Sequence, residues 1–386
     1  MKNLLVKFGG SSVADKEKIE SVAKILKELA KNNRLVCVVS AMGDTTDELI
    51  AKAKSINKNP NKRELDALLS SGEIISSSLL AMALENIGQK AISLSGLQAG
   101  FKTYGKHGFS KILDIDTKRI EEELDQGKVV VVAGFQGVNE ENDITTLGRG
   151  GSDTSAVALA AKLKAACKIF TDVDGIYNVD PRFYPAAKKL DQISYEETME
   201  MAHLGAKVID PRAVEMAQKY GVELEIALNT GKVKGTIISE GDNLEKSIIT
   251  SVSAVDEILL VNKELNNFKI SELFAKLADR GINIDVINQT EIGEKSYVSF
   301  TSTLDEKENI KTIADDFEFI ENVSKVSVIG NAMRNETGVA ARIFGVLNDK
   351  EIKFYQVSTS KISVSIIVDT KIKDQVMKVL IEEFNI

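Results

Sequence analysis

The chain has 386 residues, 43% of them hydrophobic, enough to bury a large core, and its length predicts two or three domains. Its 57 acidic against 49 basic residues give a formal net charge of -8 with the basic side chains scattered, which argues against a nucleic-acid partner and leaves any anionic ligand to a few local groups. Cys37 and Cys167 stand far apart in apolar stretches and read as buried small hydrophobes, while a leaderless N-terminus and the lack of an apolar run of about 20 residues predict a cytoplasmic protein without a membrane partner.

The first element is a strand, Leu4-Leu5-Val6, that runs into Lys7-Phe8-Gly9-Gly10-Ser11-Ser12. Ile19, Val22, Ala23, Ile25, Leu26 and Leu29 then recur at helical spacing, so the pattern is strand, glycine loop, helix. Paired glycines let backbone approach an anion, a helix start offers unpaired N–H groups, and Lys7 adds a point charge. An ordinary tight βα turn would use the same residues. The runs Leu35 to Val39 and Val129 to Ala133 end in Ser40-Ala41-Met42-Gly43-Asp44-Thr45-Thr46 and Gly134-Phe135-Gln136-Gly137, as buried parallel strands do. With helices between them, these strands predict an α/β sandwich whose working loops lie at strand carboxyl ends.

Leu68-Leu69-Ser70-Ser71-Gly72-Glu73 places Glu73 near a helix start among apolar neighbours. A partly buried carboxylate there needs a cation, either a substrate ammonium or a structural partner. Thr145-Thr146-Leu147-Gly148-Arg149-Gly150-Gly151-Ser152-Asp153 opens another helix. Its first-turn amides favour anions, and Arg149 just outside can fork onto a carboxylate, whereas Asp153 could simply cap the helix. Thr171-Asp172-Val173-Asp174-Gly175-Ile176-Tyr177, closed by Asp180-Pro181-Arg182, suits either nucleotide contacts or an Asx-rich turn. His107 and His203 are isolated, and no metal cluster or Ser-His-Asp arrangement is evident.

A compositional shift at residues 229–243 marks a boundary. Beyond it Leu273, Phe274, Leu277, Asp279, Ile282 and Ile287 match Ile343, Phe344, Leu347, Asp349, Ile352 and Val357 at a constant offset, the signature of a duplicated unit. In each copy a helix (271–279; 339–348) feeds a turn and a strand (282–288; 352–358), which predicts a βαββαβ fold. The expected domains are 1–243, 256–320 and 324–386.

The segments V-K-F-G-G-S-S-V-A, V-V-S-A-M-G-D-T-T-D, L-S-S-G-E, V-A-G-F-Q-G, T-L-G-R-G-G-S-D-T-S-A, T-D-V-D-G-I-Y-N-V-D-P-R and G-A-K-V-I-D-P-R-A-V-E resemble, in order, the signatures of the aspartokinases of the amino acid kinase superfamily. The duplicated part resembles their paired ACT domains. The resemblance implies an αβα sandwich kinase domain followed by two ferredoxin-like ACT domains, and transfer of the ATP γ-phosphoryl group to the β-carboxylate of L-aspartate on the way to lysine, threonine and methionine. By the same resemblance Lys7, Asp153 and Lys207 are catalytic. Phe8, Gly9, Gly10, Ser40, Thr171, Asp172, Tyr177, Asp180 and Arg182, with Lys7 and Lys207, meet ATP, whose phosphates would hold Mg2+. Thr46, Glu73, Arg149, Gly150, Gly151 and Ser152 hold aspartate. Asn283, Ile284, Asp285, Gln289, Thr359 and Ser360 resemble effector-contacting positions, implying lysine or threonine as effector and a homo-oligomer formed through the ACT domains. Related kinases acting on glutamate, acetylglutamate or a nucleoside monophosphate would share the glycine loop but not this whole set, and a catalytically silent amino-acid sensor would not need Lys7, Asp153 and Lys207.

Overall fold

Residues 1–206, 208–240, 248–265, 269–293, 295–314, 316–334 and 336–386 are described by the computed structural model. They form two compact units, one of residues 1–177, 189–202 and 208–240, the other of 178–188, 203–206 and the chain from 248 onward. The segment 178–188, inside the expected 1–243 domain, thus belongs to the second unit. There Val252 N–H donates to the Asn178 carbonyl (3.0 Å), and Val179, Phe183, Tyr184 and Ala187 join the apolar core.

In chain order the first unit comprises β1 (Lys2–Phe8), α1 (Lys16–Ala30), β2 (Asn33–Val39), α2 (Thr45–Ile56), α3 (Lys62–Asn86), β3 (Ala91–Leu94), β4 (Phe101–Tyr104), β5 (Lys111–Ile115), α4 (Lys118–Asp125), β6 (Val129–Ala133), β7 (Gln136–Val138), β8 (Ile144–Thr146), α5 (Gly151–Leu163), β9 (Ala166–Thr171), β10 (Gln192–Ser194), α6 (Tyr195–His203), α7 (Pro211–Tyr220), β11 (Leu224–Leu228) and β12 (Thr236–Ser239). Eight strands form one sheet in the order β10-β12-β11-β9-β1-β2-β6-β3. Its six-strand run from β11 to β3 is parallel. The strands are Val-rich and buried on both faces, as a helix-covered parallel sheet requires. Alternation sends Val6, Phe8, Cys37, Val39 and Val131 into one core with α1 and α3. The opposite face of β1 receives α5, which also packs on α7. A second sheet, β5-β4-β7-β8, was not foreseen from the sequence.

Helix α3, with 25 residues, is long and apolar enough to cross a membrane by length and composition only, although serines and Glu73 interrupt its apolar residues. Half of its most apolar window is buried in the protein, and Asp66 and Glu73 lie among its buried residues, so it is a core helix of this unit.

The second unit contains β13 (Ser251–Glu264), α8 (Ile270–Asp279), β14 (Asp285–Ile292), β15 (Lys295–Thr303), α9 (Lys307–Lys311), β16 (Glu318–Ile329), α10 (Val339–Asp349), β17 (Gln356–Thr359), β18 (Ser363–Asp369) and α11 (Lys373–Phe384). Two long strands are shared by both repeats. Residues 258–264 of β13 pair with β15 and with the first part of β16, giving the first repeat the order β14-β15-β13-β16. Residues 251–255 of β13 pair with 325–329 of β16, so the second repeat takes its fourth strand from residues that precede the first repeat. Register shifts between Val255 and Leu260 mark the change of repeat.

Both repeats end their first helix alike. Ile282 N–H bonds the Leu277 carbonyl and Ile352 N–H the Leu347 carbonyl, with Gly281 and Glu351 at positive φ (+69° and +54°). These 6→1 turns hold Ile282 and Ile352 in the core. The following strands therefore begin at Asp285 and Gln356, three or four residues later than the sequence predicts.

Candidate active site

Because Val6 and Phe8 point into the α1/α3 core, period-2 alternation turns Lys7 toward α5. Its ammonium lies 2.6 Å from Asp153 Oδ1 in the first turn of that helix, and both side chains are under 15% exposed. Asp153 is not the helix cap, since the N-cap is Gly150, which has no side chain to offer. The loop after β1 opens on a single 3-10 turn, Gly10–Val13, and α1 starts only at Lys16, where Asp15 accepts from Lys18 N–H. Hence the helix after the glycine loop begins six residues past Gly10, not at the loop itself. A Cβ on Gly10 would stand 2.7 Å from the Ala41 carbonyl oxygen, so the two loops touch only because residue 10 is glycine.

Glu73 lies in the middle of α3, not near its start. Gly72 is the cause: a Cβ there would come within 2.8 Å of Ala41 Cβ, so glycine brings the helix against the β2 loop. Ser76 Oγ donates to the Ser40 carbonyl (2.7 Å), and Ala41 N–H donates to Glu73 Oε1 (3.1 Å). Glu73 Oε2 is buried with no hydrogen-bond partner among the described residues. Burial pushes the Glu73 carboxyl up to about 7, opposed by the Ala41 amide.

These groups converge on a cavity of about 270 Å3 lined by Lys7, Gly10, Ser40, Ala41, Gly43, Thr46, Glu73, Phe135 and the run Gly148 to Asp153. Arg149 is exposed at its edge, without a hydrogen-bond partner among the described residues. A carboxylate with an unsatisfied oxygen, a guanidinium with open donors and an ammonium beside the first turn of α5 can together hold an amino acid and an anionic group next to it. The cavity is of single small-molecule size.

The loop bearing Arg149 is fixed from both sides. Arg212 Nη1 donates to the Leu147 carbonyl (2.7 Å), and Gly150, at φ +70°, lies so close to Asp210 that a Cβ would fall 2.1 Å from its carboxylate oxygen. Asp210 caps α7 through Arg212 N–H; burial raises its carboxyl above the usual range, and the nearby Asp153 charge adds to the effect. Sequence reasoning missed Asp210 and Phe135 as neighbours of the site. The positive φ of Phe135 (+70°), two residues past the end of β6, has no sequence signal.

Other candidates lie elsewhere. Phe8 stacks on Phe170 (4.5 Å between centroids) in the core, so only its backbone can face a ligand. Gly9 flanks Lys7 without lining the cavity. Thr171 ends β9, the neighbour of β1, with its hydroxyl on Asp172 (3.0 Å), and Tyr177 donates to Asp174 (2.9 Å). Asp180 and Arg182 pair with each other (2.7 Å) in the second unit, and Lys207 lies outside the described residues.

In the second unit the Asn283 carbonyl accepts from Ser302 Oγ, and Ile284 packs on the core of the first repeat. Asp285 pairs with Lys325 of the second repeat (2.5 Å), Gln289 donates to Ser296, Thr359 pairs with Val364, and Ser360 meets Ser363 (2.9 Å). The first-repeat positions thus lie on and just before β14, and Thr359–Ser360 at the end of β17.

Comparison with known proteins matches residues 2–227 to the amino acid kinase family and residues 326–384 to an ACT domain. The chain therefore belongs to the amino acid kinase family, as an αβ kinase unit carrying C-terminal ACT domains. Within it, the chain is a kinase enzyme of the aspartokinase group: it is 45% identical over 395 residues to the aspartokinase of Geobacillus stearothermophilus, covering 99% of this chain and 97% of that one. E. coli aspartokinase III in complex with aspartate and ADP superposes with a TM-score of 0.81 at 24% identity, and its complex with lysine and aspartate with 0.82 at 24%, each over 99% or more of both chains.

Proposed function

We propose that the enzyme transfers the γ-phosphoryl group of ATP to the β-carboxylate of L-aspartate, giving 4-phospho-L-aspartate. The observation that carries this reading is the juxtaposition, in one cavity, of the Lys7–Asp153 pair with the open oxygen of Glu73 and with Arg149. Glu73 takes the substrate ammonium and Arg149 the α-carboxylate, leaving the β-carboxylate toward Lys7. A carboxylate is already nucleophilic at neutral pH, so no general base is needed. Its oxygen attacks the γ-phosphorus, a P–O bond forms, the bond to the β,γ-bridging oxygen breaks, and ADP carries away that electron pair. Lys7 neutralises charge on the transferring group, and Asp153 holds the Lys7 ammonium in place. The nucleotide extends past the cavity over the carboxyl end of β9, where Thr171 and Asp172 lie.

Mg2+ would be held mainly through the nucleotide phosphates. When bound there it would supply further charge neutralisation. Binding of aspartate, ADP and lysine by the E. coli relative supports the substrate assignment and an amino-acid effector acting at the ACT domains, with lysine or threonine the effector and the ACT domains the site of self-association. A coupled assay of ADP release tests the reading. Turnover should require aspartate, should fail with glutamate, and should fall on adding lysine or threonine, singly or together. Equal turnover with glutamate would overturn the substrate assignment.

A further inference from the structure

Asp66 stands seven residues before Glu73 on α3, on the same face of the helix, and is 1% exposed. It does not line the cavity. Its Oδ2 accepts from Thr146 N–H (3.1 Å) and Gly108 N–H (3.0 Å) and lies 2.9 Å from His107 Nδ1, and its Oδ1 accepts from Thr146 Oγ1 (2.6 Å). Thr146 ends β8, three residues before Arg149, and Gly108 is the seat on which the next loop rests: a Cβ on Gly148 would lie 3.0 Å from its carbonyl oxygen. One helix therefore carries Glu73 into the cavity wall and, two turns earlier, grips the root of the loop that presents Arg149.

We propose that Asp66 is a positioning residue for the amino-acid substrate, setting the span between the Glu73 and Arg149 sides of the cavity by tying β8 and the residue 105–109 loop to α3. The inference rests on the reading of Arg149 as the α-carboxylate clamp. If the span sets affinity, loosening it weakens substrate binding and leaves the nucleotide side, built on β1 and β9, untouched. A purely structural Asp66 would lower stability without that split.

The test is steady-state kinetics on the full-length enzyme. Asp66→Ala should raise KM for aspartate at least about 10-fold while KM for ATP changes less than about 3-fold. Asp66→Asn should recover most of the loss, because its amide can donate to the Thr146 hydroxyl while its oxygen keeps the two backbone N–H bonds. In an Arg149→Ala background, Asp66→Ala should add nothing further to KM for aspartate. A folded Asp66→Ala enzyme with unchanged KM for aspartate, or with both KM values raised alike, overturns the proposal. Should that variant not fold, Thr146→Val decides: a several-fold rise in KM for aspartate supports the proposal and no rise refutes it. Aspartate dependence of the wild type and its loss in Arg149→Ala are measured first; their absence removes the underlying reading, whereas their presence with a silent Asp66 removes only this inference.

Discussion

Lys7 and Asp153 meet at 2.6 Å across the face of β1 that is turned away from the α1/α3 core, one from a strand end and the other from the first turn of α5. The carboxylate holds the ammonium at the cavity wall, and both side chains keep slight exposure, 12% and 14%. Lys7→Ala should lower kcat by at least about 100-fold, with the far-UV circular dichroism and cooperative unfolding retained. A folded Lys7→Ala enzyme with wild-type turnover would contradict the role of this ammonium.

Arg149 serves a different step. Removing a bidentate, charge-assisted contact costs about 2 kcal/mol, roughly 30-fold in binding. Arg149→Ala should therefore raise KM for aspartate by about that factor, with KM for ATP and the melting temperature little changed. Calorimetric titration of aspartate into the variant checks this, and unaltered affinity would reject the clamp.

Glu73 gives a pH signature. Unfolded, it titrates near its ordinary 4.5; folded, burial raises it to about 7. Between those values the folded state holds a proton that the unfolded chain has lost, so this contribution to stability is complete below about pH 4.5 and is lost as pH rises through about 7. Glu73→Gln should then be increasingly more stable than wild type from pH 5 to about 7, with a plateau above, in urea unfolding of the ligand-free enzyme, by up to about 3 kcal/mol. An ammonium ligand needs the ionised carboxylate, so wild-type KM for aspartate should rise as pH falls below about 7. A pH-independent stability difference, or a KM flat across this range, would remove the buried-carboxylate account.

Gly10 tests the contact between loops. Gly10→Ala places a methyl 2.7 Å from the Ala41 carbonyl and should displace the loop beside Lys7, lowering kcat/KM at least about 10-fold at modest cost in stability. Wild-type kinetics in this variant would mean that the loop spacing is immaterial.

The sequence made some of this legible and hid the rest for physical reasons. Apolar period and strand-end glycines located β1, β2 and β6, and the R-G-G-S-D run marked the start of α5, because those signals are local. Glu73 was misplaced along its helix because Ser-Ser-Gly reads as a helix start, whereas Gly72 is a point of close packing on Ala41. The grip of Asp66 on Thr146 spans 80 residues, and the second repeat completes its sheet with residues 251–255; such long-range pairings leave no local period to read. The offset between repeats was visible, yet the helix-terminating turns at Gly281 and Glu351 delay each strand beyond its first apolar residue.

The most direct measurement traps the product. With ATP, Mg2+, L-aspartate and hydroxylamine, the wild-type enzyme should yield aspartyl β-hydroxamate in step with ADP, and folded Lys7→Ala should yield at least about 100-fold less. ADP release without hydroxamate, or undiminished hydroxamate from Lys7→Ala, would contradict phosphoryl transfer to a carboxylate at this cavity.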